Sequence, residues 1–264
     1  MSVFITGDIH GDYDIGKLES KFFNKDNELG LTKDDYLIIC GDFGLVWNDE
    51  DKDICEQLLD WLEVKPWTTL FVDGNHEGFE LLNAYPVEEW HGGKAHRIRD
   101  GIIHLMRGQV FDIDNEKFFT MGGAKSHDKH RRVEGRSWWP EEIPSNTERE
   151  EAVINLDKHG WKVDYVITHE APGQIADNLI YRNRDYSREV DEFSRWLGEI
   201  AFKLDFKHWF HGHHHTDFTW EDGKYCSMYD WICNVDNINE NLCKYNRFAR
   251  WFDVFGSTAN LDVF

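Results

Sequence analysis

The chain is poor in basic residues, proline and cysteine, and it has no long apolar run. Lys and Arg total 29 against 50 Asp and Glu, a formal charge of −21. Such a surface repels a phosphate backbone at long range, which argues against sequence-independent binding to duplex DNA. The longest stretch free of Asp, Glu, Lys and Arg is the nine residues His208 to Thr216. A membrane span needs about 20 apolar residues, so none is expected. Acidic, glycine-containing sequence begins at Gly7-Asp8, where the apolar part of a secretory signal would lie, and a cytoplasmic chain is the expectation. The five cysteines (Cys40, Cys55, Cys226, Cys233 and Cys243) are odd in number and form no CxxC pair. They read as reduced thiols rather than a disulfide framework or a thiolate metal site. With only five prolines and no Ser/Gly-rich linker, no domain boundary is visible, and residues 1–264 read as one domain.

What is present is apolar content, 41% hydrophobic and 15% aromatic, enough for a large core. It is arranged as short runs alternating with amphipathic stretches. Val3 to Thr6, Tyr36 to Cys40, Leu70 to Val72, Tyr165 to Thr168 and His208 to Phe210 are β-branched or aromatic and stop at polar or glycine-rich turns. That pattern predicts strands buried on both faces. Ile15 to Phe23, Asp53 to Leu62, Glu148 to Leu156 and Val190 to Leu204 carry helical spacing, with Ile54, Leu58, Trp61 and Leu62 on one stripe. Strands near Gly101 to Ile113 and Phe118 to Met121 are joined by a hairpin-sized link and read as antiparallel. The polar segment 124–146, with Trp138-Trp139-Pro140, reads as an inserted lid-like loop. The aromatic-rich stretch 217–264 is expected to complete a second sheet. The class is therefore α/β, with ligands expected at the carboxyl ends of the strands.

Five loops that follow predicted strands hold the side chains that bind divalent metals. They are Gly7-Asp8-Ile9-His10-Gly11, Gly41-Asp42-Phe43-Gly44, Gly74-Asn75-His76-Glu77, His169, and Gly212-His213-His214-His215. Carboxylate oxygen, amide oxygen and imidazole nitrogen suit Zn, Mn or Fe. Any one of these pieces alone is unremarkable, since Asp-x-His and Gly-Asn-His are common in turns. Five at the same topological position point to one rim of a sheet gathering them.

In this order the motifs resemble those of the calcineurin-like metallophosphoesterases, from Gly7 to His215. The resemblance implies a four-layer α/β/β/α sandwich of two mixed sheets flanked by helices, and two divalent metal ions. It implies that Asp8, His10 and His215 hold the first metal, that Asn75, His169 and His213 hold the second, and that Asp42 bridges them. His76 would give a proton to the leaving group. Two ions ~3.5–4 Å apart would hold a bridging hydroxide that attacks phosphorus. The chain departs from the protein Ser/Thr phosphatases, because Phe43-Gly44-Leu45 follows Asp42 and Asp73 precedes Gly74 where that group carries arginines.

The lid has five basic residues (Lys125, Lys129, Arg131, Arg132, Arg136) and two acidic ones (Asp128, Glu134) between Lys125 and Arg136, a local +3. Arg131, Arg132 and His214 are the candidate substrate contacts; salt bridges to the chain's own carboxylates are the alternative for the lid. Trp138 and Trp139 either stack on a base or anchor the lid, and anchoring is the better reading. Arg182, Arg184 and Arg188 form a second basic cluster, and His211, Asp73 and Glu77 are candidate outer partners of the ligands. The expected function is dinuclear-metal-dependent hydrolysis of a phosphomonoester or phosphodiester, with nucleotides and short nucleic acids among the candidate substrates. A metal-dependent nuclease or cyclic-nucleotide phosphodiesterase is the alternative. A non-catalytic metal-bound interaction module is disfavoured by the complete set of ligand positions.

Overall fold

The runs read as strands are apolar throughout because both of their faces are covered. A computed structural model of the chain describes residues 1–19, 29–47, 52–184 and 189–238. In it β1 (Val3–Thr6), β2 (Tyr36–Cys40) and β3 (Thr68–Val72) are buried at every position. Alternate residues serve two cores. Ile5, Ile38 and Val72 face inward toward a second sheet, while Phe4, Leu37, Ile39 and Phe71 face outward onto helix α1 (Lys52–Glu63).

The helix α2 (Phe79–Asn83) and strands β4 (Val87–Trp90), β5 (Gly93–Arg99) and β6 (Ile102–Leu105) follow. Strands β7 (Gln109–Ile113) and β8 (Glu116–Met121) form the expected hairpin, turned at Asp114 and Asn115, both with positive φ. Helix α3 (Asn146–Lys158) starts at a capping box made by Ser145 and Glu148. Then come β9 (Tyr165–Thr168), α4 (Gly173–Asn183), α5 (Glu192–Lys203), β10 (His208–His211), β11 (Phe218–Trp220), β12 (Tyr225–Ser227) and β13 (Ile232–Asn234).

The first sheet has the order β13-β1-β2-β3-β6-β5-β4 and the second β11-β12-β10-β9-β8-β7. Both are mixed. β1, β2, β3 and β6 are mutually parallel, as are β12, β10, β9 and β8, with antiparallel strands at the margins. Phe111, Phe118, Ile167 and Phe210 of the second sheet pack against the first. The outer face of the second sheet carries Phe119, Val166 and Trp209 under Leu156 of α3 and Phe193, Leu197 and Ile200 of α5. The layers therefore run helix, sheet, sheet, helix.

Several expectations need correction. The stretch from Ile15 is a short 3₁₀ turn, Ile15–Glu19, and residues 20–23 lie outside those described. The buried stripe of α1 is Cys55, Leu58, Leu59 and Leu62, with Ile54 48% exposed. β6 belongs to the first sheet and β7 to the second, so the chain crosses between sheets within the stretch read as one group. After His215, β11 and β12 extend the second sheet but β13 joins the first beside β1; residues 239–264 lie outside the described part. Cys40, Cys55 and Cys226 are free and buried as read, whereas Cys233 is disulfide-bonded, against the all-thiol reading, and Cys243 lies outside the described residues. Among the described residues no helix is long and apolar enough to cross a membrane.

One buried ion pair ties the end of β3 to the segment 124–146. The Asp73 carboxylate accepts from Arg107 Nε at 2.8 Å and Nη2 at 2.6 Å, and its other oxygen lies 3.2 Å from His104 Nε2. Arg107 also reaches the Glu141 carbonyl at 2.8 Å and Glu148 at 3.3 Å. Burial opposes the charge on Asp73, but Arg107 and His104 outweigh it and hold the carboxyl well below its usual range. Replacing Arg107 by Met strands that charge, at a cost of about 3–5 kcal/mol. Urea unfolding of Arg107→Met is expected to show that loss; a change below about 1 kcal/mol would contradict it.

Candidate metal centre

The site sits where parallel strands of both sheets end. β1, β2 and β3 deliver Asp8, Asp42 and Asn75 from the first sheet, and β9 and β10 deliver His169 and the histidine run from the second. The expectation of one rim of one sheet is thus corrected: the two aligned rims meet because the sheets pack face to face. Sharp turns aim the side chains. His10, Asp42, His213 and His215 all have φ between 44° and 64°, a region that costs non-glycine residues energy and that recurs at functional sites. Two glycines are set by close approach. A Cβ on Gly74 would lie 2.0 Å from Asp42 Oδ1, and one on Gly212 would lie 2.1 Å from Asp8 Oδ1.

Asp8, His10, Asp42 and His215 each offer a ligand atom, and these atoms all lie within 4.8 Å of one another. His215 Nε2 is 3.3 Å from Asp8 Oδ2, and His10 Nε2 is 3.2 Å from Asp42 Oδ2. On the other side of Asp42, Oδ1 lies 3.2 Å from His169 Nε2, which is itself 3.2 Å from Asn75 Oδ1. Ligands bound at about 2.1 Å stand roughly 3.0–3.4 Å apart along the edge of an octahedron or tetrahedron. The donor set and spacing of Asp8, His10, Asp42 and His215 therefore fit a divalent cation. His213 packs edge-on against the His169 ring, centroids 5.0 Å apart, and its Nε2 lies 3.6 Å from Glu170. Its backbone N–H donates to Asp8.

Outer partners fix two of the imidazoles. His10 Nδ1 pairs with Asp14 at 2.8 Å and His169 Nδ1 with the Cys40 carbonyl at 2.7 Å, which leaves both Nε2 atoms for the centre. Asn75 Nδ2 donates to Ser126 Oγ at 3.1 Å, turning Oδ1 toward His169, and Ser126 N–H donates to Glu142. Asp14, Ser126 and Glu142 escaped sequence reasoning, since none lies in a motif; an acid four residues after His10 was the one available signal. Lys17 is another. It is buried under the first loop and donates to the carbonyls of Gly7, Asp8 and Tyr229.

The remaining candidates divide. Glu77 accepts from the Phe43 and Gly44 N–H groups and so joins the second and third loops, while Asp73 is turned to Arg107. His211 is buried, its Nε2 without a hydrogen-bond partner among the described residues, and burial with neighbouring His214 holds its pKa down to about 3. His214 donates to Glu170 at 2.9 Å, away from the Asp42 carboxylate. In the lid, Arg132 reaches His76, its Nη1 and Nη2 each 3.4 Å from a ring nitrogen, while its Nε pairs with Asp128. Arg131 is exposed and does not line the cavity beside His76. Lys125 pairs with Glu189, as the salt-bridge alternative anticipates. Trp139 is buried edge-on against Trp47, and Lys129 covers the Trp138 ring. Arg182 lies over Phe218, and Arg188 is outside the described residues.

A family model of the calcineurin-like phosphoesterases matches residues 1–217. The chain belongs to this family. Membership gives metal-dependent phosphoester hydrolysis as the reaction class and divalent cations as its cofactors. The lariat debranching enzyme of Danio rerio is 26% identical over 242 residues, 83% of this chain and 41% of that protein. Its Arabidopsis thaliana counterpart is 27% identical over 248 residues, 83% of this chain and 55% of that protein. The chain thus spans about half the length of the curated relatives it matches. The phosphopantetheinyl hydrolase of Mycobacterium tuberculosis is a distant structural likeness, with TM-score 0.40, 19% identity and coverage of 87% of this chain and 90% of that one.

Without metal, the site's histidines balance its acids. Burial works against the charge of His10, but Asp14 and Asp42 outweigh it and lift the pKa to about 10; His169 rises to about 9 against burial, through Asp42 and Asp8. Both therefore carry a proton at pH 8, which a bound cation must displace. Calorimetric titration of chelator-treated protein with Mn²⁺, in buffers of different ionisation enthalpy, is expected to show release of about two protons per chain at pH 8. Release of none would contradict these assignments.

Proposed function

We propose that the chain hydrolyses a phosphodiester or phosphomonoester at two divalent cations that share Asp42, with His76 protonating the leaving group. The observation that carries this reading is the placement of the Asp42 oxygens. Oδ2 faces His10 at 3.2 Å and Oδ1 faces His169 at 3.2 Å, so one carboxylate serves two ligand groups. In this reading Asp8, His10 and His215 complete the first group and Asn75, His169 and His213 the second. Bound there, Mn, Fe or Zn would supply an activated water and neutralise charge on the phosphate.

The chain's own residues supply the rest. His76 is anchored by its backbone N–H, which donates to Asp42 Oδ1 at 2.8 Å, so the proposed acid and the shared ligand move as one unit. In the ligand-free site burial, with His10, Arg132 and His169 nearby, holds the imidazole neutral, its pKa down to about 4, although Asp42 pulls the other way. An arriving phosphate adds negative charge beside the ring and favours the protonated form. Arg132, held by Asp128 and the Ser137 carbonyl, presents a guanidinium beside the same ring and suits a phosphate oxygen. Similarity to debranching enzymes favours a nucleotide-derived diester over a phosphoprotein. Nuclease or cyclic-nucleotide action remains the alternative form of the same chemistry.

Metal-reconstituted protein is expected to hydrolyse bis-para-nitrophenyl phosphate, and chelation to abolish the activity. No turnover of this diester or of para-nitrophenyl phosphate under any divalent ion would refute the reading. His76→Ala is expected to keep its metal but lose about 10²–10⁴-fold in kcat on alkyl esters, with less loss on nitrophenyl esters, whose leaving group needs no proton. Equal losses on both would remove the acid role.

A further inference from the structure

Beside His76 the site opens into a cavity of about 560 Å³, within the ~300–1,000 Å³ of ligand pockets. Among the described residues the cavity is lined by His10, His76 and His215 of the centre, by Trp47 beside His76, and by Ile54, Cys55 and Leu58 of α1. Trp47 stacks on the His76 ring with centroids 5.8 Å apart and planes 27° from parallel. Tyr229 stacks on His215 at 4.8 Å and 18°. Ile54, which departs from the buried stripe of its helix, is 48% exposed, and Tyr13 on the same cavity is 49% exposed. These are large apolar surfaces left open next to a polar centre.

We infer that this cavity seats a nucleobase carried by the leaving half of the substrate, with Trp47 as its stacking platform. The inference rests on the proposed acid role of His76, since that ring marks the side from which the leaving group departs. The rim decides between a flat heteroaromatic and an acyl chain. Asp12, Asp14 and Asp128 line it with Arg132. A hydrocarbon chain there would strip these groups of water without return. A base offers a flat face to the aromatic side chains and polar atoms at its edge to this rim, where Asp14 and Asp128 keep their pairing with His10 and Arg132. Trp139 anchors against Trp47, edge-on at 5.2 Å, in keeping with the anchoring role expected of it.

The test compares two hydrolysis-resistant probes by calorimetry on the Mn²⁺-loaded full chain. One is the P–CH₂ analogue of AMP and the other the P–CH₂ analogue of ribose 5-phosphate, which lacks the base. The first is expected to bind at least about fivefold tighter, the low end of base stacking on an aromatic side chain. Trp47→Leu is expected to bring the ratio close to one. Ile54→Asp, an exposed position whose change leaves the core intact, is expected to lower it as well. Equal binding of the two probes to the unaltered chain would overturn the seat while leaving the hydrolytic reading standing. A preference that survives both substitutions would also overturn it. Binding of neither probe, together with no turnover of bis-para-nitrophenyl phosphate, would remove the hydrolytic reading and the seat with it.

Discussion

Two buried carboxylates govern this structure. Asp8 and Asp42 are all but inaccessible to water, and each raises the other's cost of ionising. Charges so placed persist only when opposite charge and hydrogen bonds surround them. Here the compensation comes from His10, His169 and His215, and from the backbone N–H groups of His76 and His213. Burial pushes the Asp8 carboxyl up, yet these partners bring it down to about 2. The arrangement is thus a concentrated site of negative charge ringed by imidazoles and N–H donors, which suits divalent ions.

That electrostatic requirement explains features of the fold that core packing does not. Loops from two sheets must meet at one point, so the sheets align their parallel strands and end them together. The turns adopt positive φ at His10, Asp42, His213 and His215, and glycines at 74 and 212 admit carboxylates where a methyl group would collide. Outer groups then lock the imidazoles. Asp14 and the Cys40 carbonyl choose the tautomers of His10 and His169, and Ser126 orients the Asn75 amide. Since Ser126 is tied to Glu142 and Asp73 to Arg107, the segment 124–146 and the loops after β1 to β3 share one buried polar network.

The central strands were legible because burial on both faces writes an unbroken apolar run, as in Tyr36 to Cys40. The metal-type side chains were legible because they follow those runs directly. Other elements carry weaker signals. β4 is charged and half-buried to exposed, and β5 sets exposed Lys94 and Arg97 among buried Ala95, His96 and Ile98, so their pairing depends on a partner the pattern does not name. The return of β13 to the edge of β1 is a contact across more than 220 residues, invisible to local periodicity. Ile54 misled because an exposed apolar residue on a helix looks like core until the neighbouring cavity is seen. Arg107 and Ser126 act through distant partners, and no spacing rule marks them.

The most direct test of the central claim is anomalous diffraction from crystals of the Mn²⁺-loaded protein. The account predicts two peaks about 3.5–4 Å apart, one among Asp8, His10 and His215, the other among Asn75, His169 and His213, with Asp42 between them. A single peak, or two peaks that do not share Asp42, would contradict it.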